Sequence, residues 1–275
     1  MMAAFKLLRQ SPLSARIGLA MILINVIAAI FAPVISPYSE TEVVGDVWAP
    51  YSRSNLLGTD NVGRDLFTRL LNGARNTIAL AFATTMLSFL VGTLCGFFAA
   101  TLGGWVDQML SRIVDIIMAL PMLIFCLMVL SVVGTSITAL IVVIALLDST
   151  RVYRLSRAVA MDIAVMEYVE AARLRGEKIW WLMRQEILPN AMPPLVAEFG
   201  LRFCFVFLFI AALSFLGLGI QPPTADWGGM VRENAGAITF GIFIPLWPAC
   251  AIAFLTVGVN LIVDWFLHVA SGLKD

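Results

Sequence analysis

Five long stretches of this chain contain no charged residue, and they constrain its fold more than any other feature. They cover residues 17–39, 76–106, 116–147, 203–225 and 234–263. A helix needs about 20 apolar residues to cross a bilayer, and each stretch is long enough. The chain is also 60% hydrophobic, whereas soluble domains contain roughly 45–50% apolar residues. The sequence therefore predicts an all-α, polytopic membrane protein.

The third stretch is too long for one transmembrane helix. Its 32 residues would form a helix of about 48 Å, whereas the hydrocarbon core is about 30 Å thick. The segment Val133-Gly134-Thr135-Ser136 offers a turn that divides it. We therefore predict six transmembrane helices, at about 17–36, 77–101, 109–132, 137–153, 194–219 and 242–267. The first is expected to be retained, because it is longer than the apolar region of a signal peptide.

Basic residues are unevenly distributed between the two sets of loops that six spans create. Eleven lie on the side of the termini and five on the other side. Cytoplasmic loops of membrane proteins carry the excess of lysine and arginine. Both termini are therefore predicted to be cytoplasmic, with tails at 1–16 and 268–275.

Few polar groups are expected inside the spans. Two charge pairs are predicted to form locally on a helix face, Arg112 with Asp115 and Glu198 with Arg202. The four cysteines lie within apolar stretches, and the single histidine, His268, lies at the end of the last span. No metal site, catalytic histidine or cofactor site is predicted in this chain.

The segment 37–76 is predicted to be an extracytoplasmic loop that ends in an amphipathic helix. Apolar residues follow helical spacing at Leu66, Phe67, Leu70, Leu71 and Ala74. Such a helix is suited to lie along the membrane surface before the second span.

A charged segment between the fourth and fifth spans is the second informative region outside the membrane. Residues 151–186 hold 12 of the 36 charged residues. Within residues 167–190, two short helices with one apolar side each are predicted on either side of Gly176, which ends the first, while Pro189 ends the second. Ala171 and Ala172 would let another protein approach the backbone closely. The pattern fits a docking platform or an ordinary loop with two surface helices.

The spacing within this segment resembles the EAA motif of ABC-importer permeases. Its elements are Glu170-Ala171-Ala172, then three residues followed by Gly176, and the tail Ile187-Leu188-Pro189. In that family the segment is the coupling region, which seats in a groove of a cytosolic ATPase. The chain departs from the motif at Glu186, where the family has an apolar residue.

Three further segments are similar to the dipeptide/oligopeptide/nickel branch of these permeases, in its shorter C-type subunits. They are LGTDNVGRDLFTRLLNGAR (57–75), GGWVDQMLSRIVDIIMALP (103–121) and LSFLGLGIQPPTADWGGM (213–230). The resemblance implies a MetI-like core of five helices at 77–267, which includes the ATPase-coupling segment at 154–193. It also implies a location in the bacterial inner membrane.

The resemblance further implies a set of partners for this chain. They are a homologous second permease, two cytosolic ATPase subunits that carry ATP and Mg, an extracytoplasmic substrate-binding protein and membrane lipid, without nucleic acid. The chain itself has no GxxxxGK[ST] phosphate loop. The implied function is import of peptides or related small solutes, and dipeptides, oligopeptides, glutathione-like conjugates, opines and nickel chelates all stay open as cargo.

Two other functions are weighed against this one. An ion-gradient-driven secondary transporter would show interrupted helices with polar sites in two repeated halves. Pro121, Pro245 and Pro248 could interrupt helices, but no clear internal repeat is present. An intramembrane enzyme would need a Ser/His, paired Asp or HExxH constellation, and the sequence offers none.

Overall fold

A computed structural model describes residues 11–270 of the protein, and within that range the fold is helical. Two isolated antiparallel bridges, Val43–Arg64 and Thr59–Asp65, lie between the first two helices. A π-helical turn (Met183–Ile187) joins the helices Ile179–Leu182 and Leu188–Phe215, and a 3-10 helix (Ala235–Phe240) follows the helix Trp227–Asn234. The α-helices are α1 Leu13–Ile35, α2 Leu66–Leu102, α3 Gly104–Met118, α4 Met122–Val133, α5 Ile137–Ala164, α6 Glu167–Leu174, α7 Ile179–Leu182, α8 Leu188–Phe215, α9 Trp227–Asn234 and α10 Leu246–Ala270.

The all-helical membrane architecture is confirmed, but the count of six spans is not. Within residues 11–270, four helical stretches are long and apolar enough to cross a membrane: α1, α2, residues 179–215 and α10. A fifth is obtained when α3 and α4 count together as one bent span. The predicted tails at 1–16 and 268–275 lie mostly outside the described residues.

Proline and glycine set the breaks around the predicted third span. α3 and α4 meet at an angle of 86°. Pro121 precedes the first residue of α4 and lacks the backbone N–H that would continue the ladder of α3. The turn predicted at residues 133–136 is present, because α4 ends at Val133 and Gly134 has a φ of +93°. Ser136 then caps α5 by accepting the N–H of Ala139 at 3.2 Å.

Residues 66–76 are the first turns of α2, so the separate surface helix predicted there is wrong. Asp65 begins α2 by accepting the N–H of Thr68 at 2.8 Å, and no proline interrupts the helix before Leu102. Part of the polar side of this segment is buried, since Thr68 is fully buried and Arg69 is 1% exposed, whereas Arg75 at its end is exposed. Polar residues from other parts of the chain cover this buried part, and a hydropathy pattern does not predict such contacts between distant residues.

α2 and α5 pack at close range through two glycines four residues apart. A Cβ atom on Gly92 would lie 2.6 Å from Val152 Cβ, and one on Gly96 would lie 2.8 Å from the Arg157 backbone nitrogen. Small residues with this spacing let membrane helices approach closely. The α2–α5 pair therefore forms a tight center around which the other helices pack.

Candidate functional site

The charged hairpin, residues 167–190, has the turn that its sequence predicts. α6 ends where Gly176 adopts a φ of +85°. The N–H of Gly176 donates to the carbonyl of Arg173 at 2.9 Å, and that of Glu177 donates to Ala172 at 3.2 Å. These two bonds form a Schellman motif, which favours glycine at the left-handed position. The backbone then reverses into α7.

The inner side of the hairpin is held by apolar packing. The buried cluster joins α6, α7 and the π turn to α2, α5 and α8, and it consists of Phe97, Ala160, Ile163, Val169, Ala172, Leu182, Met183, Ile187, Ala191 and Leu195. Burial of such side chains contributes roughly 25 cal/mol per Å² of apolar area. The predicted apolar stripes are confirmed at most positions, although Met166 and Ile179 are exposed.

The outer side of the hairpin carries charges that form no ion pair with any other described residue. Glu167, Glu170, Arg173, Arg175 and Lys178 are all exposed. In the part of the chain that the structure describes, none of the ion pairs includes a residue of the hairpin. This side is therefore free to form ion pairs with another molecule.

The structure divides the predicted coupling residues into two groups. Glu170, Ala171, Gly176, Leu188 and Pro189 are on the exposed side. Ala172 and Ile187 are fully buried within the chain. Of the two alanines expected to admit a partner, only Ala171 is therefore accessible, and Ala172 instead packs the hairpin onto the helices above it.

Pro189 does not end the second helix of the hairpin, contrary to the prediction. The helix continues from Ile179 to Phe215 through Pro189, Pro193 and Pro194. The π turn immediately precedes Pro189, and such wide turns accommodate irregular backbone hydrogen bonding inside a helix. The side-chain amide of Asn190 also donates to the carbonyl of Glu186 at 2.6 Å. The hairpin and the following span are consequently one helical body.

One exposed apolar residue at the tip of the hairpin was not predicted from the sequence. Leu174 is 84% exposed at the last position of α6. It lies between Arg173 and Arg175 and outside the apolar stripe of that helix. In the sequence, an apolar residue that interrupts a charged helix face in this way is the pattern that indicates a contact residue.

At the opposite end of α2, four charges form a network, three of them buried and the fourth, Glu233, 12% exposed. This network belongs to the polar cap, which we define as residues 37–69 together with residues 226–234. Asp60 Oδ2 lies 2.7 Å from Arg64 Nε and 3.3 Å from Arg69 Nη1. Glu233 Oε2 of α9 lies 3.1 Å from Arg64 Nη2 and 3.0 Å from Arg69 Nη2. Each carboxylate thus meets two guanidinium groups, which offsets the cost of burial.

Asp226 anchors α9 to α2 within the polar cap. Its carboxylate accepts from the Thr77 hydroxyl and from the N–H of Gly229, both at 2.9 Å. Burial raises the pKa of Asp226, and these two hydrogen bonds act in the opposite direction. The indole N–H of Trp227 donates to the carbonyl of Leu70 at 2.9 Å. The polar cap is therefore fixed to the first turns of α2.

The predicted local charge pairs have different outcomes. Glu198 and Arg202 are paired at 2.7 Å, as predicted. Asp115 is paired with Arg154 of α5 at 2.7 Å and not with Arg112, so that prediction is wrong. The fold brings α3 and α5 together, and a pair between helices is not visible in local spacing. Among the described residues, no group of three or more His, Cys, Asp or Glu is placed to hold a metal.

These features define a class of protein, a helical membrane subunit with an unpaired charged surface at one end and a closed polar cap at the other. The family model described as "Binding-protein-dependent transport system inner membrane component" matches residues 92–271. The chain belongs to this family. It is therefore a multi-pass inner membrane protein and the non-catalytic permease subunit of an importer whose partners include an ATPase and a binding protein. The prediction of an importer permease is confirmed.

Individual relatives and solved structures agree with this assignment. The chain is 34% identical to a dipeptide transport system permease protein of Alkalihalophilus pseudofirmus, over 99% of this chain and 87% of the relative. It is 34% identical to a di/tripeptide transport system permease protein of Pseudomonas aeruginosa, over 94% and 85%. Its fold is similar to an inward-facing structure of the MetNI methionine ABC transporter, with a TM-score of 0.59 and 18% identity over 75% of this chain and 96% of that chain.

Proposed function

We propose that this chain forms half of a pore that imports dipeptides or other small peptides. The observation that carries the substrate class is the similarity, over nearly the full length, to permeases named for dipeptides and di/tripeptides. The other half of the pore would be a homologous permease subunit. Two ATPase subunits, which bind ATP and Mg, would work below the pair, and a binding protein would deliver peptide from above.

The charged hairpin is the proposed joint with the ATPase. Glu170, Ala171, Gly176, Leu188 and Pro189 would form the contact surface, because they are exposed on the side whose charges form no ion pair within residues 11–270. Ala172 and Ile187 would act as anchors, since both are fully buried in the cluster beneath.

The helix from Ile179 to Phe215 supports a mechanical role for the joint. Because the second arm of the hairpin continues into a span, movement of the ATPase would reach the membrane without crossing a flexible loop. ATP binding could then shift the population between inward- and outward-facing packings, provided that the ATPase binds the two packings with different free energies.

The proposed topology has six spans, with both termini in the cytoplasm. α5 would supply the remaining span, the fourth in chain order: it has 28 residues, and Asp148, the first charged residue along it, is fully buried against Ser88 and Arg202. Reporter fusions or single-cysteine labelling after residues 50, 134, 180 and 230 test this arrangement. Labelling of position 180 from outside intact cells would contradict it.

Reconstitution tests the function itself. The chain alone in liposomes is expected to show no ATP hydrolysis and no uptake, because it supplies half of a pore and no nucleotide site. Addition of the sister permease, the ATPases and the binding protein is expected to give ATP-dependent, vanadate-sensitive peptide uptake. Gradient-driven uptake by the isolated chain would contradict the proposal.

A further inference from the structure

A cluster of four charged side chains lies where α2, α5 and α8 meet. Asp148 of α5 accepts a hydrogen bond from Ser88 of α2 at 2.9 Å, and its other oxygen lies 3.6 Å from Arg202 Nη1 of α8. Arg202 Nε lies 2.7 Å from Glu198 Oε1 one turn earlier. Arg151 of α5 stacks on the ring of Phe205, with its guanidinium carbon 4.4 Å from the ring centroid.

Two of these charges, Asp148 and Arg202, lie deep in their helices. Asp148 comes 11 residues after the start of α5, and Arg202 comes 13 residues before the end of α8. At 1.5 Å per residue they lie about 17 Å and about 20 Å from those helix ends. In a hydrocarbon core of about 30 Å, neither position is at an interface. This step relies on the topology that is part of the proposed function.

The four side chains differ in how completely the chain covers them. Asp148 is fully buried, and its Oδ1 atom makes no hydrogen bond in the structure. The side chains of Glu198 and Arg202 are 20% and 18% exposed, and Arg151 is partly exposed. Charged groups that face lipid are strongly disfavoured, so this side of α5 and α8 must face water or another protein.

The opposite side of α8 has a different character. Val196 is 43% exposed and lies two positions from Glu198, which places it about 160° away around the helix. It lines an apolar cavity of about 550 Å³ between α2 and α8. At one depth, α8 therefore presents a charged side and an apolar side.

We propose that Glu198, Arg202 and Arg151 line the translocation path and bind the two termini of a zwitterionic peptide as it passes. The two arginines offer donors to a carboxylate, and Glu198 accepts from an ammonium group. The two acidic and two basic side chains balance, so the site attracts a molecule that carries both charges close together. Glu198 and Arg202 are already paired with each other, so they bind a peptide only weakly. Transport requires weak binding, because the substrate must also leave.

Thiol accessibility tests the location of the site. In the full complex, with the four native cysteines replaced by serine, Glu198→Cys and the matched control Val196→Cys are treated with a charged, membrane-impermeant thiol reagent. We expect Glu198→Cys to react at least about tenfold faster, because its thiol faces water. Arg151→Cys takes its place if the first variant does not assemble. Equal or slower labelling of these positions than of Val196→Cys would overturn the inference.

Uptake tests the substrate chemistry. Glu198→Gln is compared with the wild-type complex for a free dipeptide and for the same dipeptide acetylated at its N-terminus. The variant to wild-type ratio for each solute cancels the step at the binding protein. We expect uptake of the free dipeptide to fall about tenfold, the effect of losing one charge-assisted hydrogen bond, and that of the acetylated form to stay unchanged.

Two outcomes of the uptake assay would overturn the inference, namely equal losses for both solutes and no loss for either. A wild-type complex that takes up no peptide would contradict the proposed function. The labelling contrast between Glu198→Cys and Val196→Cys does not depend on peptide uptake, so the location of the site is tested separately.

Discussion

The polar cap and the charged hairpin both consist mainly of short elements outside the long helices, and they use their charges in opposite ways. In the cap, Asp60, Arg64 and Arg69 are buried, and together with Glu233 they form a network of ion pairs. In the hairpin, the charges are exposed and only the apolar side is packed. Paired, buried charges fix one conformation, since each would be costly to leave alone. Exposed charges leave a surface whose partner is another molecule.

Removal of one charge from the cap should have the largest effect on stability. Arg69→Met leaves Asp60 and Glu233 with one guanidinium between them, at an expected cost of about 3–5 kcal/mol. Thermal unfolding and limited proteolysis of the purified complex measure this loss. Arg53→Met, at an exposed position of the segment that precedes α2, is the matched control and should change stability by less than about 0.5 kcal/mol. If the two variants lost the same stability, the paired charges would not stabilise the cap, and the contrast between cap and hairpin would be wrong.

Two neighbouring alanines in the hairpin sharpen the contrast between its sides. Ala172→Leu places extra volume in a packed cluster and should destabilise the hairpin by about 1–3 kcal/mol. Ala171→Leu, on the exposed side, should leave stability unchanged and weaken ATPase binding, because the larger side chain keeps a partner away from the backbone. Thermal unfolding and ATPase co-purification separate the two effects. The division into anchor and contact residues is wrong if both variants lose stability equally.

Gly176→Val tests whether the turn is needed for coupling. A β-branched residue at a φ of +85° should cost on the order of 1–2 kcal/mol and misdirect α7. No atom lies within 4 Å of the position that the added Cβ would occupy, so the chain itself offers no clash. We expect normal membrane insertion with reduced ATPase co-purification and uptake.

Gly241→Val is the matched control for this turn. Gly241 is also left-handed, with a φ of +72°, and its added Cβ would also meet no atom. It should keep ATPase binding, since it lies between α9 and α10. If Gly176→Val retains full ATPase binding and uptake, the hairpin is an ordinary loop.

The smallest expected effects concern single charges on the hairpin. Lys178→Ala should change stability by less than about 0.5 kcal/mol, because the side chain is exposed and has no ion pair in the described chain. Glu170→Lys should be equally neutral for stability but should lower binding-protein-stimulated ATP hydrolysis, if Glu170 meets a basic residue on the ATPase. A loss of stability in either variant would show that the exposed side is not free.

Local backbone chemistry accounts for what the sequence predicted well. Gly134 and Gly176 mark turns that the structure contains, because glycine adopts positive φ at little cost. The prediction that Pro189 ends the helix was wrong because a π turn ahead of the proline lets the helix continue. Local sequence patterns do not predict such a turn. The burial of Ala172 beside the exposed Ala171 also follows from packing with other helices. Contacts between distant residues, such as Asp115 with Arg154, are set by the assembled fold.

The π turn between α7 and α8 has a consequence for insertions and deletions. Met183, Ile187, Ala191 and Leu195 are four residues apart and all belong to one buried cluster. In a regular α-helix each such step rotates a side chain by about 40°, so the four would spread over about 120°. The wider π turn takes back part of that rotation and keeps them on one side. Substitutions on the exposed side of this segment should therefore be tolerated, whereas one added or deleted residue should turn the hairpin away from its span.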